Sequence, residues 1–249
     1  MITTASGVSC IGSRSQGPRW RPQRDVSYDG CGGALWRRFE RDMSIDETLE
    51  QHFPTPVLVR QHGGIEALND ALSALIEEVA SAESNAASSS SNTTQGGFQS
   101  APGADFLDRD DEALRALKGQ IVWPAIESYL SQVLDCDPFM TPVSISSWAV
   151  SLGPGDWQAP HFHPKEYTLI SGVYYVAVPE SPEPEGCLEF INPNLNAVSI
   201  GNQPSGRLHR PETGQLILFP PYYMHFVHPL KSSTAPRHVI AFDVRLNQA

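Results

Sequence analysis

From residue 143 to residue 244 the chain breaks into seven short runs rich in β-branched and aromatic residues: 143–152, 167–178, 187–191, 197–200, 215–219, 224–228 and 237–244. Gly, Pro and Asn separate them. Short strands set apart by turn residues suit a β-sandwich or jelly roll, not a parallel α/β sheet. Ahead of them lie two helical patterns. From Gly64 to Ala80, Ile65, Leu68, Leu72, Leu75, Ile76 and Val79 recur at three- and four-residue steps, which predicts an amphipathic helix with one buried face. A second stretch starts at Asp110, a candidate cap, and runs through Leu114, Leu117 and Ile121 to Ile126, Tyr129, Leu130 and Val133. Pro124 should kink or divide it. The expected architecture is α+β, with N-terminal helices packed on a C-terminal sandwich.

Composition shifts mark the boundaries. Residues 1–42 carry seven arginines and four acids, a local charge of +3 in a chain whose net charge is −11. With little apolar periodicity, this basic segment reads as a flexible tail or an extension upstream of a start at Met43, and secondarily as an organellar transit peptide. Residues 43–249 then form a single domain, helical to 137 and β-rich from 138. Residues 81–104, rich in Ser, Ala, Asn, Thr and Gly, read as a mobile loop. The acidic balance argues against nucleic acid or an anionic membrane as partner. No apolar run reaches the length of a membrane span, so a cytoplasmic protein is expected. Cys10, Cys31, Cys136 and Cys187 are scattered without metal-site or disulfide spacing and read as free thiols.

The chemistry concentrates in the β-rich part. His161 and His163 stand two apart, so on a strand both imidazoles would face one way, and His225 on a later strand could complete a three-ligand metal site. Two imidazoles and a third ligand suit Fe(II), with Zn, Mn or Cu as competitors. His209, His228 and His238 are rivals, and three incidental histidines are the bland alternative. Arg237 leads into the apolar run Val239-Ile240-Ala241-Phe242 and needs a partner: a bound carboxylate, or a salt bridge to Asp243 or a nearby Glu.

His161-Phe-His-Pro, Ser171-Gly-Val-Tyr-Tyr-Val, Gly214-Gln-Leu-Ile-Leu-Phe-Pro and His225-Phe-Val-His-Pro together resemble the 2-oxoglutarate- and Fe(II)-dependent oxygenase superfamily, in particular its group of uncharacterised members. Phe53-Pro-Thr-Pro and Gly96-Gly-Phe-Gln-Ser extend the resemblance over most of 51–246. It implies a double-stranded β-helix (jelly roll) with N-terminal helices packed on the sheet. It also implies Fe(II) and 2-oxoglutarate as cofactors. His161 and His225 would be metal ligands, Arg237 would bind the distal carboxylate of 2-oxoglutarate, and Tyr175 would help hold that carboxylate; a half-buried aromatic is the plain reading of Tyr175. The implied reaction consumes dioxygen, releases succinate and CO2, and hydroxylates a small-molecule or peptide substrate. The superfamily's usual motif has Asp or Glu where this chain has His163; Glu166 is the other candidate ligand, less suited because i and i+2 face together on a strand. Loops 81–104, 153–160 and 193–210 are expected lids. A cupin is the alternative, since Gly155, His161, His163 and Glu166 nearly reproduce a cupin metal motif. That reading needs no 2-oxoglutarate and gives Arg237 no role.

Overall fold

The computed structural model describes residues 48, 52–83, 93–101, 105–163, 166–201 and 203–247. The basic segment 1–42 lies outside them, as does the serine run 88–91. The first amphipathic pattern forms α1 (Glu66–Glu83), which buries Asn69, Leu72, Ile76 and Val79 on one face. The second forms α2 (Glu112–Ala116), a π-helical stretch (Leu117–Val122) and α3 (Trp123–Val133). Asp111, one residue beyond the expected cap, accepts a hydrogen bond from the Leu114 N–H at 3.0 Å. The widened turn ends at Pro124, which has no N–H to give and would crowd the preceding turn of a regular helix. The helix is thus divided at the place the proline predicts.

Among the described residues there are eleven strands: β1 (Leu58–Gln61), β2 (Thr94–Gln95), β3 (Phe98–Gln99), β4 (Val143–Leu152), β5 (Trp157–His161), β6 (Thr168–Ala177), β7 (Leu188–Ile191), β8 (Gly206–His209), β9 (Gln215–Phe219), β10 (His225–Val227) and β11 (Arg237–Leu246). They form two antiparallel sheets, ordered β1-β9-β6-β11-β4-β3 and β2-β5-β10-β7-β8. Along the larger sheet, Ile170, Tyr174, Leu216, Leu218, Ile240, Phe242 and Val244 face one way and share a core with the helices. Their strand neighbours Val150, Tyr175, Ile217, Phe219 and Val239 face the other way and pack with Leu188, Phe190 and Val227 of the smaller sheet. The period-two pleat therefore gives one sheet two interiors, one lined by helices and one by the second sheet. Gly172 is required by the first: a Cβ there would lie 2.4 Å from Phe242 and 2.7 Å from Leu218.

The structure departs from the expected elements in several places. Residues 197–200 are not a strand: Asn194 caps α4 (Leu195–Ser199) by accepting from the Ala197 N–H at 3.1 Å, so a local side-chain bond outweighs the β-branched composition. The expected lids are structured where described. Segment 153–160 contains most of β5, 193–210 holds α4 and β8, and the described end of 81–104 supplies β2 and β3. Gly96 and Gly97, at φ +72° and +63°, turn the chain between β2 on one sheet and β3 on the other. A Cβ on Gly97 would sit 2.5 Å from the Ser151 carbonyl, which only glycine avoids. Cys136 and Cys187 are free, while Cys10 and Cys31 lie outside the described residues. Among the described residues no helix is long and apolar enough to cross a membrane.

Candidate functional site

The interior between the sheets holds a small, partly open cavity of about 40 Å³. Its walls are hydrocarbon and aromatic apart from His161, His163, His225, Tyr175, Arg237 and Gln158. Five of these six are the residues singled out in the sequence, and three of the five form a cluster.

β5 and β10 are neighbours, and His161 stands directly opposite His225 across the ladder. Opposed residues of an antiparallel pair share a face, so the two imidazoles meet with ring centroids 4.3 Å apart. His163 reaches them differently from the expectation. His161 is the last residue of β5, and His163 lies beyond it in irregular chain, where strand alternation does not apply. Its N–H donates to the Pro221 carbonyl at 2.8 Å, and its ring stacks between Trp148 and His225 with centroids 5.8 and 5.3 Å away. One side-chain nitrogen from each of the three histidines lies within 4.8 Å of the other two. Glu166 is exposed and stands outside this cluster.

The three rings are fixed in one tautomer. His161 Nδ1 lies 2.7 Å from the Ala159 carbonyl and His225 Nδ1 lies 2.8 Å from the Tyr223 carbonyl. A carbonyl can only accept, so both protons sit on Nδ1 and both Nε2 atoms carry free lone pairs. His163 Nδ1 lies 3.0 Å from Asp243 Oδ1, which sets it the same way. Burial, reinforced by the neighbouring imidazoles, pushes the His225 pKa well below its ordinary value; burial lowers His161 too, against the opposing hydrogen bond it gives to the Ala159 carbonyl. Three clustered imidazoles that spend Nδ1 on other partners keep Nε2 for an ion, which is what a divalent metal needs from its ligands. The donor set therefore fits such an ion.

The rival histidines are engaged elsewhere. His228 pairs with Glu189 at 2.7 Å, His209 with Gln215 at 2.7 Å, and His238 faces Glu77 of α1 at 3.4 Å.

Arg237 opens β11 on the inner face and is 3% exposed. Its guanidinium carbon stands 5.0 Å from the centre of the Tyr175 ring. No carboxylate pairs with it among the described residues, and its Nε and Nη1 atoms have no hydrogen-bond partner there. The buried Tyr175 hydroxyl has none either. Burial raises that hydroxyl's pKa, with Arg237 opposing the shift, so it remains a proton donor. A buried cation and a buried hydroxyl left open beside one cavity could together receive a carboxylate. The alternative salt bridge from Arg237 to Asp243 is not formed, because six residues of extended strand separate them.

The sequence offers Asp243 only as a possible salt-bridge partner of Arg237, not as a support for His163. Strand parity is the signal that finds it: six residues after Arg237, it must share the inner face.

Residues 146–243, which contain every residue of this constellation, match the family described as "Putative 2OG-Fe(II) oxygenase". No curated protein sequence matches the chain. Among solved structures, a Pseudomonas putida prolyl-4-hydroxylase is similar at 16% identity over 77% of this chain and 93% of its own, with a TM-score of 0.53. A Trichoplax adhaerens prolyl hydroxylase, solved with a peptide fragment of the hypoxia inducible factor oxygen degradation domain, gives 15% identity, 76% and 83% coverage and a TM-score of 0.52. HygX from Streptomyces hygroscopicus, solved with nickel and 2-oxoglutarate, gives 12% identity, 78% and 84% coverage and a TM-score of 0.52. At these identities the likeness is one of fold.

Proposed function

We propose, from the match of residues 146–243 to the 2OG-Fe(II) oxygenase family, that this chain is a member of it and hydroxylates a small-molecule or peptide substrate with release of succinate and CO2. The family is one of oxidoreductases that use Fe(II) and 2-oxoglutarate. In this reading the two sheets are a double-stranded β-helix, or jelly roll. Eight strands, β4 to β11, supply it with four in each sheet and every neighbouring pair antiparallel. The helices α1 to α3 back the larger sheet, and residues 43–249 make up the one catalytic domain.

His161, His163 and His225 would hold Fe(II) through Nε2. Arg237 would grip the distal carboxylate of 2-oxoglutarate, with the Tyr175 hydroxyl donating to the same group. Bound together, the ion and the keto acid supply the oxidising power, coupling reduction of dioxygen to oxidative decarboxylation. The protein's own contribution is positional. Because the three histidines cluster together, they would leave the rest of the cavity to the keto acid and dioxygen. Arg237 orients the keto acid from its far end, and the guanidinium is fixed by the Tyr175 face it lies on. Val150, Val173, Leu188, Phe219, Val227 and Val239 line the cavity with hydrocarbon, which would strengthen each of these polar contacts.

The observation that carries this reading is the pairing of two unsatisfied features in one cavity: three Nε2 lone pairs at one place and an unpartnered Arg237 at another. A metal-binding cupin explains the first and leaves the second as a buried charge without purpose. Succinate formation from 2-oxoglutarate by purified protein supplied with Fe(II), without a prime substrate, tests it. Wild type should turn over, while Arg237→Ala and His225→Ala should each lose at least ~100-fold, the scale on which removing a required catalytic contact acts. Turnover that persists undiminished in both variants overturns the assignment.

A further inference from the structure

We propose that Asp243 is a positioning residue of the metal centre, holding His163 by its Nδ1–H and supplying, one bond behind the ligand, the negative charge that a third imidazole does not bring. The inference rests on the metal-binding reading of the three histidines.

Asp243 is 1% exposed, and a buried carboxylate is costly unless something compensates it. No lysine or arginine pairs with it among the described residues. Arg237 shares its strand and face, but six residues of extended chain separate the two backbones by roughly 20 Å. The partners of Asp243 are His163 Nδ1 at 3.0 Å and the hydroxyl of Ser171, its cross-strand neighbour, at 2.8 Å, both on Oδ1. Its Oδ2 has no hydrogen-bond partner. The protein thus buries a carboxylate whose two contacts are a serine hydroxyl and the back of a candidate metal ligand.

The three histidines differ in this respect. His161 and His225 rest on backbone carbonyls, which orient a ring and carry no net charge. His163 alone rests on a carboxylate, and His163 alone occupies the position where the related motif has an acid. An imidazole backed by a carboxylate is a more basic ligand than one backed by a carbonyl, and the pair carries the net charge of a single carboxylate ligand. His163 also lies past the end of β5, where no ladder holds it. The Asp243 bond and the stacking of Trp148 and His225 fix its ring instead.

Anaerobic Fe(II) titration of the full chain, followed by the Fe(III)/Fe(II) midpoint potential of the loaded protein, tests this without reference to turnover. Asp243→Asn keeps shape and an acceptor for His163 but removes the charge. It should weaken Fe(II) binding by about 10- to 100-fold, the usual cost of losing such a partner. The midpoint potential should rise, because the more highly charged Fe(III) loses more stabilisation; a residue that merely packs would not move it in a fixed direction. Adding His163→Asp to Asp243→Asn returns the charge directly to the ion and should recover most of the lost affinity. Wild-type affinity and potential in Asp243→Asn overturn the inference while leaving the three-histidine site standing. Failure of wild type to bind Fe(II), or undiminished binding by His225→Ala, overturns the metal site and this inference with it. Should Asp243→Asn not fold, Ser171→Ala carries the test: freeing one side of the carboxylate should loosen Fe(II) binding, and unchanged affinity counts against the role.

Discussion

Tyr174 and Tyr175 are adjacent, fully buried and of one type, yet the molecule treats them oppositely. Tyr174 points to the helices and gives its hydroxyl to Asn69 of α1 at 2.8 Å. Tyr175 points between the sheets, where its hydroxyl has no partner and its ring lies under Arg237. Burial raises both pKa values, that of Tyr174 to about 12. The same contrast runs along β11, where Ile240, Phe242 and Val244 serve the helix-backed core while Arg237 and Asp243 serve the cavity. One face of the sheet is built to be stable. The other keeps polar groups whose cost of burial a bound ion or anion would offset, a common property of functional sites.

Substitutions on the two faces should separate these roles. The largest effect on stability belongs to the helix side: Leu218→Ala, at a fully buried position, should destabilise by about 2–5 kcal/mol in denaturant unfolding. The protein that remains folded should bind Fe(II) normally, and weakened binding would blur the division between faces. Next comes Arg237→Ala, which should cost 2-oxoglutarate binding about 2–5 kcal/mol by calorimetry on the metal-loaded protein. Its folding stability should hold or rise, since it removes a buried charge that no protein group compensates.

The two tyrosines give a smaller and sharper comparison. Tyr174→Phe strands Asn69 and should destabilise by about 1–2 kcal/mol with no change in 2-oxoglutarate affinity. Tyr175→Phe should weaken 2-oxoglutarate binding and leave stability unchanged. An exchange of these outcomes would reverse the assignment of faces.

The smallest effect is in pH dependence. Burial lowers the pKa of His238, on the helix side, against the opposing pull of Glu77. The unfolded histidine, near its ordinary value of about 6.5, then takes up protons that the folded one refuses. Its share of stability is intact above that pH and is lost as pH falls through the window below it. Thermal unfolding of metal-free protein should show Tm falling from pH 7 to 5.5, and His238→Gln should flatten the slope slightly.

Much of this was legible from residue order. The 3.6-residue period from Ile65 to Val79 and the clustering of His161, His163, Tyr175, His225 and Arg237 in the β-rich region survive into three dimensions, because each depends on local pattern or on strand parity. What was illegible depends on partners distant in sequence. β1 is a strand because β9 offers it an edge, and β5, with Pro160 in it, because β10 and β2 flank it. The helix at 195–199 turns on the cap at Asn194. His163 stands in the cluster without the strand that parity assumed, and the grip of Asp243 on it links positions eighty residues apart. No pattern within either segment announces that contact.

The central claim is that the three histidines and Arg237 form one receptor for Fe(II) and 2-oxoglutarate together. Anaerobic titration of the protein with both, followed in the visible range, measures this directly. A weak charge-transfer band should appear only when ion and keto acid are both present and should vanish in His225→Ala and Arg237→Ala. No band in wild type, or a band of full intensity in both variants, would contradict it.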